Sequence, residues 1–348
     1  MSEGNGGPRN ALASRLLAFA RRRFGDKVEC DALAGDASDR SFFRIRLPSM
    51  SPLVAMVHPE PFRLEDLPFF AHALFLKEIG ADVPEIVGSY PGEGILLLQD
   101  LGDETLMTSL LTATPSRRLF LYRQAVQILA HVQRAGTRAL TPDLPASRTA
   151  LDRDRLLFEM RFFAEHYIGG VLGSPLDSTR MARLDGWFET LAETVAGYDR
   201  VLCHRDYHSR NLMVKGDRLY MVDFQDARMG PYTYDLASLL RDSYVRLPED
   251  LVEEMIDFYL EAAGRSFPDA GRPGAFPGRP GGFNEEFERT CLQRNIKAVG
   301  TFAYQAAVRG NRKYLPSIPP TLEMVRGSLA RRGESEILDL FEGPLLLT

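Results

Sequence analysis

His204-Arg205-Asp206-Tyr207-His208-Ser209-Arg210-Asn211, followed eleven residues later by Val222-Asp223-Phe224-Gln225, is the stretch whose reading decides the fold. It sets an Asp, an Asn five positions on, and a second Asp beyond a strand-like run. Asn211-Leu212-Met213-Val214 and Leu219-Tyr220-Met221-Val222 read as two short strands around the turn Lys215-Gly216-Asp217-Arg218. A hairpin of that kind returns Asp223 alongside Asn211, so that an amide oxygen and a carboxylate reach one cation. Asp206 is then left to accept the proton of an attacking hydroxyl. Phosphoryl transfer from ATP, with Mg²⁺ on the phosphates, needs these three groups. A single Asp is most often a turn former; three such groups at this spacing carry a specific chemistry.

Protein kinases carry H-R-D-L-x-x-x-N followed by D-F-G. Here Tyr207 stands for the Leu and Gln225 for the Gly. Beyond Asp223 the chain continues Phe224-Gln225-Asp226-Ala227-Arg228-Met229-Gly230-Pro231 and then Tyr234-Asp235-Leu236-Ala237, with no A-P-E and no room for a regulatory loop. These segments resemble the aminoglycoside phosphotransferase family of small-molecule kinases, which pair H-x-D-x-x-x-x-N with I-D-F-x-x-A and Y-D-L-A. Within that family the wording is most similar to anomeric amino-sugar kinases of cell-wall recycling, which act at C1 of N-acetylmuramate and N-acetylglucosamine. The closer likeness rests on Gly35-Asp36-Ala37-Ser38-Asp39-Arg40, Leu97-Leu98-Gln99-Asp100-Leu101-Gly102-Asp103, Asp206 to Met213, and Leu239-Leu240-Arg241-Asp242-Ser243-Tyr244. It covers most of the chain, from about Asp31 to about Leu315.

The fold expected is α+β and bilobal, protein-kinase-like, with a small β-rich N-lobe and a larger, mainly helical C-lobe. Residues 1–100 form the first, with about ten disordered residues, about five strands and one long helix (Leu67 to Glu78). The last strands, Glu85 to Gly88 and Ile95 to Leu98, flank the turn Pro91-Gly92-Glu93-Gly94. Residues 101–348 form the second, starting at a hinge at Asp100-Leu101-Gly102-Asp103. Helical periodicity marks Leu119–Gln133, Leu156–Tyr167, Met181–Val195, Leu236–Tyr244, Leu251–Ala262, Asn284–Val308 and Leu322–Leu329. Leu12, Leu16, Leu17 and Phe19 recur at helical spacing near the start and predict a surface helix. The Gly-, Pro- and Arg-rich stretch 264–282 lacks periodicity and reads as a mobile insertion.

Phosphates need backbone donors and a flexible turn. Gly35 to Arg40 lies between two strand candidates; alone it is a plain hairpin turn, but upstream of Asp206 it is the natural phosphate loop. Gly35 gives the turn, Ser38 a hydroxyl and Arg40 a charge. On the third strand, Val54-Ala55-Met56-Val57, Val57 stands where kinases place a phosphate-binding Lys. Arg40, Arg44, His58 and Lys77 are the candidates to replace it. The resemblance implies that adenine lies against Met56 and Leu98 and bonds the backbone at Gln99 and Leu101.

Asp206 is the assigned base, and Asn211 and Asp223 the metal ligands. His204 reads as a brace of the loop; Asp235, at the start of a helix, reads by position as an N-cap, and the resemblance implies that it braces the loop. From Cys203 to Arg246 the chain holds seven Lys/Arg against six Asp/Glu, two of the acids already assigned. A site for polycationic aminoglycosides calls for surplus carboxylates; this lean suits a neutral sugar or one bearing a carboxylate. Arg210, Arg228, Arg241, His208, Asp242 and, on the Leu156–Tyr167 helix, Glu159 and Arg161 are the acceptor candidates. Ordinary surface arginines explain the lean equally well.

The 348 residues carry a net charge of −5, which gives no footprint for nucleic acid or a membrane surface. No apolar run approaches the ~20 residues of a membrane span, and no secretory leader is evident. Cys30, Cys203 and Cys291 are odd in number and far apart, as suits buried thiols in a reducing cytoplasm. The reading is therefore an ATP- and Mg²⁺-dependent cytoplasmic enzyme, a phosphotransferase acting on an amino-sugar alcohol. Two alternatives stay open: a family kinase for an aminoglycoside, choline or homoserine, or a pseudokinase that binds nucleotide and signals. Val57 is the feature that favours the pseudokinase, and the Asp206, Asn211, Asp223 set opposes it.

Overall fold

The computed structural model describes residues 8–33, 40–48, 50–173, 176–266, 282–343 and 345. Along the chain, α1 (Pro8–Phe24) precedes β1 (Glu29–Ala32), β2 (Ser41–Leu47), β3 (Met50–Val57), α2 (Pro68–Glu78), β4 (Ile86–Tyr90) and β5 (Ile95–Gln99). Then come α3 (Leu106–Leu110), α4 (Pro115–His131), α5 (Thr137–Ala139), α6 (Arg153–Phe163), α7 (Ser178–Ala196), β6 (Arg200–Cys203), β7 (Leu212–Lys215), β8 (Arg218–Met221) and β9 (Arg228–Pro231). The chain closes with α8 (Tyr234–Leu240), α9 (Glu249–Ser266), α10 (Phe283–Ala307), α11 (Ile318–Arg331) and α12 (Ser335–Glu342). Contacts group residues 1–104 with 213–225 into one unit, and 105–212 with 226–348 into a second.

The first unit is a five-stranded sheet in the order β1-β2-β3-β5-β4, each neighbouring pair antiparallel. Its strands alternate. Phe43, Ile45, Leu53, Ala55, Val57 and Leu97 turn to one face, where α1 lays Leu16, Phe19 and Ala20 over them. Burying each large side chain is worth about 1.5–3 kcal/mol, so α1 belongs to the core of this unit. This corrects two expectations. The helix expected on the surface at Leu12–Phe19 is packed into the core, and at 17 residues it is longer than the expected long helix, which has 11. Helix also starts at Pro8, inside the first ten residues. Arg15 of α1 donates to the carbonyls of His58 and Pro59 and so fixes the end of β3.

The β7–β8 hairpin joins this unit although it follows β5 by more than a hundred residues. Val214 N–H donates to Glu104 O at 2.8 Å, Met221 N–H to Asp82 O at 2.9 Å, and Lys215 Nζ to Asp100 O at 2.9 Å. Gly216, at φ +64°, supplies the left-handed turn residue that a two-residue hairpin requires.

The second unit is mainly helical, with β6 and β9 paired antiparallel at its centre. α4 and α6 run on into wider π-type turns, Val132–Gly136 and Ala164–Val171. α8 stops at Leu240, short of the expected Tyr244, because Arg241 leaves helical geometry at φ −115°, ψ 43°. α9 stays helical to Ser266, so Gly264 to Ser266 belong to a helix and not to the insertion; residues 267–281 lie outside the described residues. α12, about two turns with Ile337, Leu340 and Phe341 buried, was not expected.

Candidate active site

In the helical unit, β6 ends at Cys203 and releases the loop His204 to Asn211. Two carboxylates at the two ends of α8 pin that loop. Asp235 accepts the His204 N–H at 2.6 Å and the Arg205 N–H at 2.9 Å. Asp242 accepts the Ser209 N–H at 2.9 Å and the Tyr244 N–H at 2.8 Å. The Tyr207 hydroxyl reaches Ala125 O of α4 at 2.8 Å, and Met107 N–H donates to Ser209 O at 3.0 Å. Held this way, Arg205 takes φ +82°. A non-glycine residue in that region costs about 1–3 kcal/mol and persists where its surroundings over-determine it. Here the two hydrogen bonds to Asp235 do so.

The loop delivers Asp206 with its carboxylate 29% exposed. Lys297 of α10 donates to its Oδ1 at 2.6 Å. Burial pushes the Asp206 carboxyl up, but Lys297, Arg205 and His208 together hold it well below the ordinary carboxylate range, so it is ionised at neutral pH. Asn211 donates from Nδ2 to Asp206 O at 3.0 Å. That bond commits the amide nitrogen and leaves the Asn211 Oδ1 as the free end of the side chain. His208 is lowered to about 4 by burial, against the pull of Asp242. Its neutral ring meets Tyr244 edge-on, with centroids 5.3 Å apart. Burial raises Asp235 to about 6, opposed by His204 and the two amide bonds.

In the sheet unit, Asp223 is exposed at φ +64° and accepts Gln225 Nε2 at 2.8 Å. Phe224 beside it is fully buried and stacks on Phe69 of α2 at 5.0 Å, so an apolar anchor sets where Asp223 emerges. The register pairs Phe42 with Met56 and Met56 with Leu96, and Arg44 with Val54 and Val54 with Leu98. Met56 and Leu98 therefore share the sheet face opposite α1. Val57, 0% exposed, points into the α1 core, where a lysine would leave its ammonium unsolvated.

Each of the four cations named as replacements interacts within the chain. Arg44 grips Asp100 through Nε at 2.5 Å and Nη2 at 3.0 Å, and Asp103 at 2.8 Å. Lys77 pairs with Glu85 at 2.7 Å. His58 is lowered by burial and then by Arg40 and Arg15, so it carries no charge. Arg40 precedes Ser41, which pairs with Val57, and so stands at the end of β2 opposite His58. Gly35 and Ser38 lie outside the described residues. The Gln99 amide is committed to Glu85 O at 2.8 Å. Leu101 is buried, and the turn beside it closes through Gly102 N–H to Asp100 Oδ1 at 2.8 Å.

Several acceptor candidates have partners within the chain. Glu159 is 4% exposed and receives Arg155 at 3.2 Å, Gln293 at 3.3 Å and Arg205 at 3.4 Å. Arg241 is clamped to Glu249 at 2.7 and 2.8 Å, with Glu288 3.6 Å away. Arg161 pairs with Asp185 and Glu189, and Asp242 is the brace already described. Arg228 lies 3.7 Å from Asp226 and is lowered by burial and by the nearby Arg205 and Arg155. Arg210 lies over the rings of Tyr244 and Tyr314, at 4.9 and 5.5 Å. Lys297 was not foreseen. It sits 91 residues from Asp206 inside a helix that is buried on most sides, and no local spacing marks it.

A small antiparallel-sheet lobe and a larger helical lobe, with an Asp-to-Asn loop and a following Asp on a hairpin, define the class of protein-kinase-like phosphotransferases. A model of the phosphotransferase enzyme family matches residues 29–273, and the chain belongs to that family. It is 30% identical over 307 residues to an N-acetylmuramate/N-acetylglucosamine kinase of Neisseria meningitidis, covering 86% of each chain. It is 32% identical over 306 residues to a kinase of the same name from Pseudomonas aeruginosa, covering 86% of this chain and 84% of that one. The fold is shared with an ADP-bound aminoglycoside phosphotransferase at TM-score 0.57 and 13% identity, covering 90% of this chain and 99% of the other.

Proposed function

We propose that this enzyme is an ATP- and Mg²⁺-dependent sugar kinase that phosphorylates the anomeric hydroxyl of N-acetylmuramate or N-acetylglucosamine, in the cytoplasm, as a step of peptidoglycan recycling. The observation that carries the reading is the ionised Asp206 on a loop pinned at both ends by Asp235 and Asp242. The names of the relatives supply the acceptor.

In this reading Asp206 orients the acceptor hydroxyl and takes its proton late, because the transition state is loose. A base held well below the usual carboxylate range is weak, and an anomeric hydroxyl, more acidic than other sugar hydroxyls, asks least of it. The Asn211 Oδ1 and the Asp223 carboxylate are oxygen donors of the kind Mg²⁺ prefers, and would hold it on the phosphates. When bound, the metal neutralises charge on the β- and γ-phosphates. Arg40 stays assigned with Gly35 and Ser38 to the phosphate loop, and Met56 and Leu98 form the adenine face. Phosphotransfer from ATP by the purified enzyme, measured over amino sugars, aminoglycosides and amino alcohols, tests the proposal. Formation of a 1-phosphate on either sugar supports it. Strong activity on kanamycin-like polycations with none on either sugar refutes the acceptor and leaves the kinase class standing.

A further inference from the structure

We propose that Lys297 is the positioning residue of Asp206: its ammonium takes Oδ1 and so presents Oδ2 to the acceptor hydroxyl. The inference rests on the reading of Asp206 as the proton acceptor. Lys297 lies 2.6 Å from Oδ1 and is itself only 12% exposed. Among the described residues no side chain donates to Oδ2. The other nearby cation, Arg205, acts on Asp206 through its charge and pairs with Glu159 at 3.4 Å and Asp226 at 3.8 Å. Lys297 is therefore the cation in hydrogen-bond contact with the base.

The root of Lys297 is fixed closely enough to do this. One turn before it, Gln293 is buried and donates to Glu159 Oε2 at 3.3 Å; beside it, buried Arg294 reaches Ser238 Oγ at 3.1 Å. Almost one turn after it, Gly300 lies so close to α6 that a Cβ there would stand 2.8 Å from the Phe163 backbone. A largely buried ion pair is weak evidence of a stabilising role; orientation of the carboxylate gives this side chain a reason to be held so firmly. With Oδ1 bonded, the carboxylate cannot swing, and the hydroxyl proton passes to Oδ2 as the acceptor oxygen bonds the γ-phosphorus. The bond from that phosphorus to the β–γ bridging oxygen breaks, and ADP leaves.

Misplacing a reacting group by about 1 Å costs on the order of 10²-fold in rate, and that is the loss in kcat expected for Lys297→Met. ADP affinity and the KM for ATP should stay within a factor of two. Lys297→Arg should recover part of kcat, since it keeps a donor at that position. In an Asp206→Asn background, Lys297→Met should produce no further loss, because its effect runs through the carboxylate. Multiplying losses, unchanged kcat in Lys297→Met, or a fall in ADP affinity would each overturn the proposal. If Lys297→Met fails to fold, Lys297→Gln and Lys297→Arg are compared on the same two backgrounds. Asp206→Asn with wild-type turnover overturns the base assignment itself. Inactive Asp206→Asn beside fully active Lys297→Met overturns the role of Lys297 alone.

Discussion

Asp206 and Arg210 sit four residues apart on one loop and answer different questions. Asp206 tests the chemistry. Asn at this position keeps the shape and the partner Lys297, so Asp206→Asn should fold normally and lose about 10²–10⁴-fold in kcat, the usual worth of a general base. Circular dichroism and steady-state kinetics on one preparation check both halves. Arg210 tests the acceptor. Arg210 stands beside Asn211 over the rings of Tyr244 and Tyr314. If the lactyl carboxylate of N-acetylmuramate meets an arginine near the loop, Arg210, adjacent to the candidate metal donor Asn211, is the first to test. Arg210→Met should then cost about 1.5–3 kcal/mol in kcat/KM for N-acetylmuramate, the range for a charge-assisted bond. N-acetylglucosamine, which lacks the carboxylate, should be affected much less. Equal losses on both sugars would make Arg210 a structural residue that props up the loop.

At the scale of elements, the end of β5 is organised by the Arg44–Asp100 pair. Both side chains are at least nine-tenths buried. Burial pushes the Asp100 carboxyl up, but the Arg44 bonds, the Gly102 amide and Lys215 bring it below its ordinary value. A lowered carboxylate stabilises the fold above its unfolded pKa, about 3.9, and that contribution is lost as pH falls through the folded value. Asp100→Asn leaves Arg44 buried with half its partner, and should lose about 3–5 kcal/mol at pH 7. The gap to wild type in urea unfolding should narrow below pH 4, and a gap that persists there would mean that the cost is steric. None of this pairing was visible in the sequence, where Arg44 looked like a spare cation for phosphate. The strands themselves were legible, because β2, β3 and β5 alternate or run apolar between turn residues. Which face each residue takes was not, since it depends on register. That is why Val57 read as a missing lysine when it is a core residue facing α1. The loop from His204 to Asn211 was legible because its chemistry is local. Lys297 was not, because α10 meets that loop only through tertiary packing.

For the whole molecule, the sheet unit carries Asp223 at the end of a hairpin that the chain adds to it after more than a hundred residues. That hairpin is tied to Asp82, Asp100 and Glu104, so Asp223 is held by the fold of the sheet unit and not by its own segment. Replacing it should therefore leave both units folded and strike ligand binding. A ligand at about 100 times its Kd stabilises the folded state by about 2.7 kcal/mol. In wild type, ADP with Mg²⁺ should raise Tm by several degrees, and EDTA should remove most of that rise. Asp206→Asn keeps Asn211 and Asp223, the proposed metal donors, and should respond like wild type. Asp223→Ala should show the EDTA-insensitive part alone, with its unliganded Tm close to wild type. A full Mg²⁺-dependent rise in Asp223→Ala would show that the metal is held elsewhere, and the pairing of Asn211 with Asp223 would fall. A large drop in its unliganded Tm would instead make the positive φ of Asp223 a structural device, which asparagine at the same position, tolerant of that geometry, should restore without restoring the response to Mg²⁺.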